Sequence, residues 1–369
     1  MTVRHSIDSV GPRSQRPARQ EAQHIPSNSD HAELRRRLTL AGVFQRQYFF
    51  YICHAAVAFG LLALAVWLLF VIEPFWLRLL DAVLLAAAFL QFAYVVHDAG
   101  HREIFAQPRN NDLAMLAAGF LIGASRTWWF DTHNRHHAHP NDLDLDPNTA
   151  LPVLAFSEEQ ALAKTGLLRF FVRFQAFYFL PLLCLEGMGV RIASIAYIRS
   201  GGAKYPVVEA LGLGTHVVVY LTLVLLAMPV GQALPFILLH QLVAGFYMGS
   251  IFAPNHKGML VPTAGDGKTF LEHQVLSSRN IRPNPTIDFL YGGLNYQIEH
   301  HLFPTIPRNQ LSRARPIVRE FCNERALDYH ETGLVASYFE VLGFFHRMAK
   351  PLRSRRAREA FVAKKELPA

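Results

Sequence analysis

Eighteen histidines are spread over 369 residues, and eight of them gather in short clusters. In HDAGH, His97 and His101 lie four positions apart, so a helix carries both imidazoles on one face, as a shared metal requires. In HNRHH, His133, His136 and His137 have the i, i+3, i+4 spacing, and QIEHH repeats it with Gln297, His300 and His301. An eighth histidine, His256, stands in APNHKG. One metal takes about four to six ligands, so eight convergent imidazoles without thiolates imply two metals. Imidazole suits iron, zinc, copper or nickel, and spacing alone does not choose among them. Any one of these histidines reads as a surface side chain. Three repeats of helical ligand spacing on one side of the molecule read as a metal site.

The elements that must position these clusters are membrane helices. Hydrophobic residues make up 51% of the chain and charged residues 17%, where soluble proteins average about 25% charged. Four apolar runs approach the roughly 20 residues a spanning helix needs: Tyr48–Ile72, Leu77–Val96, Val207–Met228 and Gln232–Phe252. They form two hairpins whose turns, around Glu73–Phe75 and Pro229–Gly231, are nearly free of basic residues. Arg35–Arg37, Arg102, Arg109 and Lys350–Arg358 lie outside the hairpins, which puts both termini in the cytoplasm. Leu113–Gly123 is too short to cross. Leu167–Val190, interrupted by Arg169, Arg173 and Gln175, reads as one interfacial helix. Four crossings leave every histidine cluster cytoplasmic, beyond the ends of the second and fourth spans.

The net charge of +8 does not point to nucleic acid, because the basic residues flank apolar runs and so suit an anionic membrane surface. Cys53, Cys184 and Cys322 are far apart and form no CxxC pair, which excludes a disulfide framework or thiolate metal site. Residues 1–47, rich in Arg, Ser, Gln and Pro and without an apolar h-region, read as a disordered basic cytoplasmic arm.

HDAGH, HNRHH and QIEHH resemble the three histidine boxes of membrane fatty-acid desaturases, and GGLNYQIEHHLFPTIPR is close to the acyl-lipid and acyl-CoA members. The resemblance runs from Gln91 to Arg315. It implies an all-α polytopic fold: four transmembrane helices capped by a cytoplasmic helical histidine-box domain, with a bent substrate tunnel between the helices. Residues 48–315 are then the membrane catalytic domain, and 316–369 a cytoplasmic helical region with a basic tail. By motif position, His97, His101, His133, His136, His137, His256, His300 and His301 become candidate ligands of two iron ions. Gln297 stands where many relatives carry a ninth histidine, and is either a weak ligand or a hydrogen-bond partner beyond the ligands. The Gln form is similar to that of front-end desaturases. No HPGG haem motif occurs, so electrons are expected from a separate ferredoxin or cytochrome with its reductase.

The implied reaction is oxygen-dependent desaturation of a long-chain acyl-CoA or acyl-lipid. Hydrogen removal from an unactivated methylene is beyond any side chain, which favours iron over zinc. A histidine-box hydroxylase, acetylenase or carotenoid ketolase is the alternative. A metal transporter or sensor is remote, because transporters place ligands near the bilayer midplane. The expected location is a bacterial inner membrane.

Around the boxes, Asp98 and Glu299 lie about 100° from their neighbouring histidines on a helix and are expected to orient imidazoles rather than bind metal. Asn255 either holds a metal-bound water or caps its helix. His139, before Pro140, is left out of the ligand set. Asp142, Asp144 and Asp146 form an acidic loop that either touches the site or, more commonly, is a solvated turn, and Trp128 and Trp129 belong to an interfacial aromatic belt, with a substrate-tunnel wall as the lesser alternative. Gln91, Glu209, His216, His240 and Gln241 are costly in hydrocarbon and so either serve function or, as is commoner, form hydrogen bonds from helix to helix. Arg135, Lys257, Arg279 and Arg282 either dock a phosphate-bearing headgroup or an acidic electron donor, or simply supply inside positive charge.

Overall fold

A computed structural model describes residues 28–263 and 265–354, with 356, 359 and 361 beyond them. The expected disorder of residues 1–27, and most of the basic tail after 354, lies outside the described residues.

Among the described residues, four helices are long and apolar enough to cross a membrane: α2 (Tyr48–Val71), α3 (Phe75–Gly100), α10 (Pro206–Ala227) and α11 (Val230–His256). Two of them outrun the apolar segments that predict them. The α3 helix continues past Val96 to Gly100, and α11 past Phe252 to His256. At 1.5 Å per residue, the 27 residues of α11 reach about 40 Å, longer than the roughly 30 Å hydrocarbon core. The surplus turns carry His97 and His256 beyond the apolar zone on continuous helix. α3 is the central element, packed against α2, α4 and α11. Its buried face is rich in alanine, with Ala82, Ala86 and Ala88 fully buried, which lets neighbouring backbones approach closely.

Two bent helix pairs lie between the hairpins in the chain. α4 (Pro108–Ile122) meets α5 (Arg126–Ala138) at 108°, and α7 (Gly166–Val172) meets α8 (Gln175–Leu183) at 90°, after the short α6 (Glu158–Ala163). Each pair reaches spanning length only when its two arms are taken together. The single interfacial helix expected over Leu167–Val190 is therefore corrected to three: α7, α8 and α9 (Glu186–Arg199). The bend falls at Phe174, which leaves helical geometry at φ −115° and ψ 15°.

At the histidine end, α12 (Phe270–Leu276), α13 (Pro285–Leu290), α14 (Gln297–Leu302), α15 (Leu311–Glu324), α16 (Leu334–Met348) and α17 (Lys350–Arg353) form a helical cap. The two-residue strands β1 (Asn280–Ile281) and β2 (Glu331–Thr332) pair in parallel within it. Two expected boundaries are overturned here. Residues 28–47 are not a disordered arm: α1 (Asn28–Leu40) buries Leu34 and Leu38 against α12 and α15. Arg37 pairs with Glu324 at 2.7 Å. Two leucines four positions apart fix this helix within a mainly polar stretch. The division at 315/316 falls inside α15, whose Leu311, Ala314, Val318 and Phe321 share one core with Ile298 and Leu302 of α14. That C-terminal segment is part of the same cap.

Candidate metal centre

The end of α3 supplies His97, with His101 as its C-terminal cap; α5 supplies His133, His136 and His137; α11 ends on His256; α14 carries His300 and His301. All eight converge. Seven are buried and His133 is half-buried. Two groups have their ligand atoms within 4.8 Å of one another: His97, His101, His133 and His300 form one, and His136, His256 and His301 the other. His137 lies between them, its Nε2 3.1 Å from that of His133 and its ring stacked on His301 at 4.1 Å.

These spacings suit metal ligands. Nε2 of His97 lies 3.1 Å from that of His300, His101 2.9 Å from His133, and His136 3.3 Å from His256. With metal–imidazole bonds of about 2.1 Å, ligands at right angles stand about 3.0 Å apart, and tetrahedral ones about 3.4 Å. Hydrogen bonding does not account for all of them. Nδ1 of His136 faces Asp146 Oδ2 at 2.8 Å, and Nδ1 of His256 faces the Ser277 carbonyl at 3.1 Å. Both acceptors hold the ring proton on Nδ1, so the two Nε2 atoms meet lone pair to lone pair, an arrangement that a cation between them stabilises. Nε2 of His301 is buried without a hydrogen-bond partner, while its Nδ1 meets Gln274 Oε1 at 3.0 Å. The donor set therefore fits a pair of imidazole-bound metals.

Burial, reinforced by neighbouring imidazoles, holds His101, His133, His137, His300 and His301 well below the usual imidazole range. Neutral rings are the form that binds metal.

The groups behind the imidazoles are partly those expected. Asp98 Oδ1 meets His97 Nδ1 at 3.0 Å. Glu299 does not orient a histidine: it accepts from Tyr329 at 2.6 Å and Asn280 at 2.8 Å, tying α14 to the cap. Asp146 is not a solvated turn residue. It is buried, and although burial alone would raise it, His136 and Lys257 hold its carboxyl well below the usual range. Trp129 is not simply a belt residue, since its ring stacks on His133 at 4.2 Å. Gln274 was missed, as nothing local in its sequence marks it. His139 is exposed at the end of α5, outside the cluster.

Asn255 and Gln297 lie side by side behind His256. Asn255 Nδ2 donates to the carbonyls of Ile251 (2.8 Å) and Leu294 (3.0 Å), which fixes its amide, and Gln297 Oε1 lies 3.1 Å from the same nitrogen. The Gln297 amide nitrogen lies 2.9 Å from His256 Nε2. A neutral amide is a poorer ligand than imidazole. Gln297→Ala should retain the metal content of the parent protein and slow turnover by about 10–100-fold, the usual cost of a lost outer partner. Elemental analysis beside rate measurement checks this. Loss of a full metal equivalent would make Gln297 a principal ligand.

Among the basic residues singled out, Arg135 and Arg282 are exposed. Lys257 is half-buried over the Phe156 ring at 4.6 Å. Arg279 cannot dock a ligand: fully buried, it donates to the carbonyls of Pro254 (2.7 Å) and Lys257 (3.0 Å) and pairs with Glu340 at 3.1 Å. A basic pocket of about 340 Å³ lies elsewhere, lined by Arg35, Arg46 and Arg102 with Glu103 and Thr305. Within the bundle, Glu209 accepts from Ser125 and Thr127, His240 from Tyr220 and Gln241, and Gln241 from Arg191. All but the Gln241–His240 contact, which lies within α11, join different helices, as expected. His216 packs beside Phe89 of α3, and the Gln91 carbonyl faces His54 Nε2 at 3.0 Å.

A helical membrane protein with a buried imidazole cage at one end of its bundle is thus defined by fold and site together. The Fatty acid desaturase family profile matches residues 74–333, and the chain belongs to that family. It is 31% identical over 333 residues to the Delta(6)-fatty-acid desaturase fat-3 of Caenorhabditis elegans, covering 84% of this chain and 71% of that protein. It is likewise 31% identical over 342 residues to a Delta(8)-fatty-acid desaturase of Euglena gracilis, covering 88% and 80%. An acyl-lipid (9-3)-desaturase of Borago officinalis is 30% identical over 294 residues, covering 76% of this chain and 65% of that protein. The chain is a fatty-acid desaturase, an oxidoreductase of lipid metabolism.

Proposed function

We propose that this desaturase uses two iron ions, molecular oxygen and electrons from a separate ferredoxin or cytochrome to place a double bond in a long-chain acyl-CoA or acyl-lipid. The observation that carries this reading is the convergence of eight imidazoles, without thiolates, in two adjoining groups. His97, His101, His133 and His300 would hold one iron, and His136, His256 and His301 the other, with His137 between them. Bound iron supplies, with oxygen, the oxidising power to remove hydrogen from an unactivated methylene, which no side chain has.

The protein's own groups prepare the site. Asp98, Asp146, Gln274 and the Ser277 carbonyl each accept the Nδ1 proton of one histidine, which leaves Nε2 of His97, His136, His301 and His256 as electron-pair donors. Burial of the cage keeps bulk water away. Arg35, Arg46 and Arg102 form the basic pocket suited to the phosphate of an acyl carrier, and exposed Arg135 and Arg282 suit an acidic electron donor. Basic residues flanking the spans favour a cytoplasmic site and cytoplasmic termini.

Expression in a host with oxygen and a compatible donor should yield acyl chains two mass units lighter, unsaturated at one preferred position. Mass spectrometry of the host lipids tests it. Products sixteen units heavier would make the chain a hydroxylase, and altered carotenoids beside unchanged acyl chains would overturn the substrate class.

A further inference from the structure

We infer that Arg308 is the positioning residue for His97, and through it for one of the two metals. This rests on the two-iron reading above. Arg308 is 3% exposed, yet carries a charge that must be matched inside the cap. Its Nε donates to Asp98 Oδ2 at 2.9 Å, while the other oxygen of Asp98 meets His97 Nδ1 at 3.0 Å. Nη1 donates to the Gly292 carbonyl at 2.8 Å. The guanidinium lies over the Tyr94 ring at 4.4 Å, and the Arg308 backbone N–H donates to Glu103 Oε2 at 2.9 Å.

The chain is shaped to admit this side chain. Gly292 has φ +59°, and a Cβ there would stand 2.1 Å from Arg308 Nη1; at Gly293 a Cβ would stand 3.0 Å from the Arg308 carbonyl oxygen. The glycine pair that opens GGLNYQIEHHLFPTIPR therefore accommodates the arginine that closes it. Arg308 also accounts for the third group with metal-like spacing, His97, Asp98 and Glu103. Its guanidinium is bonded to Asp98, and its backbone N–H to Glu103. The three residues are the wall of an arginine socket.

Asp98 can aim His97 only while its own second oxygen is held. Without the guanidinium, that carboxylate keeps an unpaired oxygen in a dry site and is free to turn, so Nδ1 of His97 loses its fixed acceptor and Nε2 its direction. The effect falls on one group. His97 belongs with His101, His133 and His300, whereas His136 of the other group leans on Asp146, and His301 on Gln274.

The test is iron content per chain in purified full-length protein, measured side by side for the parent, Arg308→Gln, Arg308→Lys and Gly292→Ala, with size-exclusion profiles as the folding control. The parent should hold about two irons, and Arg308→Gln about one while remaining monodisperse, with a Mössbauer signature of isolated rather than paired iron. Arg308→Lys should recover part of the loss, because it keeps the charge but cannot hold Asp98 and Gly292 together. Gly292→Ala, which crowds the guanidinium and leaves Arg308 in place, should reproduce the Gln variant, and reads the same effect if that variant does not fold. Two irons in Arg308→Gln or Gly292→Ala overturn the inference, as does equal loss of both metals from folded protein. A parent chain without iron fails the two-iron reading instead.

Discussion

His136→Ala and His301→Ala should each abolish turnover and lower metal content while leaving the chain inserted in the membrane. Each imidazole is buried, and each has a fixed acceptor behind Nδ1: Asp146 for His136 and Gln274 for His301. The Nε2 atoms point inward, that of His301 with no hydrogen-bond partner at all. Alanine removes an electron-pair donor that nothing nearby replaces, so the loss should exceed the roughly 10–100-fold typical of outer partners. Insertion should persist, because the spans follow from apolar length and neither histidine lies within the apolar runs. Product formation, elemental analysis and protease protection of the four helices are measured together. A variant with near-normal rate removes that residue from the ligand set.

A comparably severe effect, on stability, is expected at Gly245 in the middle of α11. There the helix meets the turn between α8 and α9 so closely that a Cβ would lie 2.2 Å from the Cys184 carbonyl oxygen and 3.2 Å from the Glu186 nitrogen. Both neighbours are backbone atoms, so no rotamer change relieves the clash. Forcing a methyl into such a contact costs typically about 1–3 kcal/mol, and more where backbone must move. Gly245→Ala should lower the melting temperature in detergent and, because α11 carries His256, weaken metal retention. Gly214→Ala is the control, since its Cβ would meet nothing within 4 Å. An unchanged melting temperature for Gly245→Ala would show that the α8–α9 turn does not rest on α11.

The sequence disclosed what repeats or runs. Four apolar segments announced the spans, and helical spacing announced the histidines, because both signals are local. Contacts made only on folding left no such trace. Gln274 reaches His301 across 27 positions, and Asp146 reaches His136 across a turn whose three aspartates look alike in sequence. Arg308 was in plain view at the end of the third-box motif, but a charged residue there gives no sign of burial. α1 was hidden by its polar composition, although Leu34 and Leu38 were a legible pair. The break at Phe174 had no local sign, for the one proline nearby, Pro181, sits inside α8 rather than at the bend.

The distribution of the cage along the chain sets an order of assembly. His97 meets His300 across 203 positions, and His31 reaches the Leu302 carbonyl across 271. A chain made from its N-terminus releases the first hairpin long before α14 exists. At that stage His97 and His101 have no partners from α14, and α1 has no α15 on which to lay its leucines. Neither group of histidines can close until residues 300 and 301 have left the ribosome. Any ions the cage holds would then act as a clasp fastened last, on a bundle whose spans were made before it.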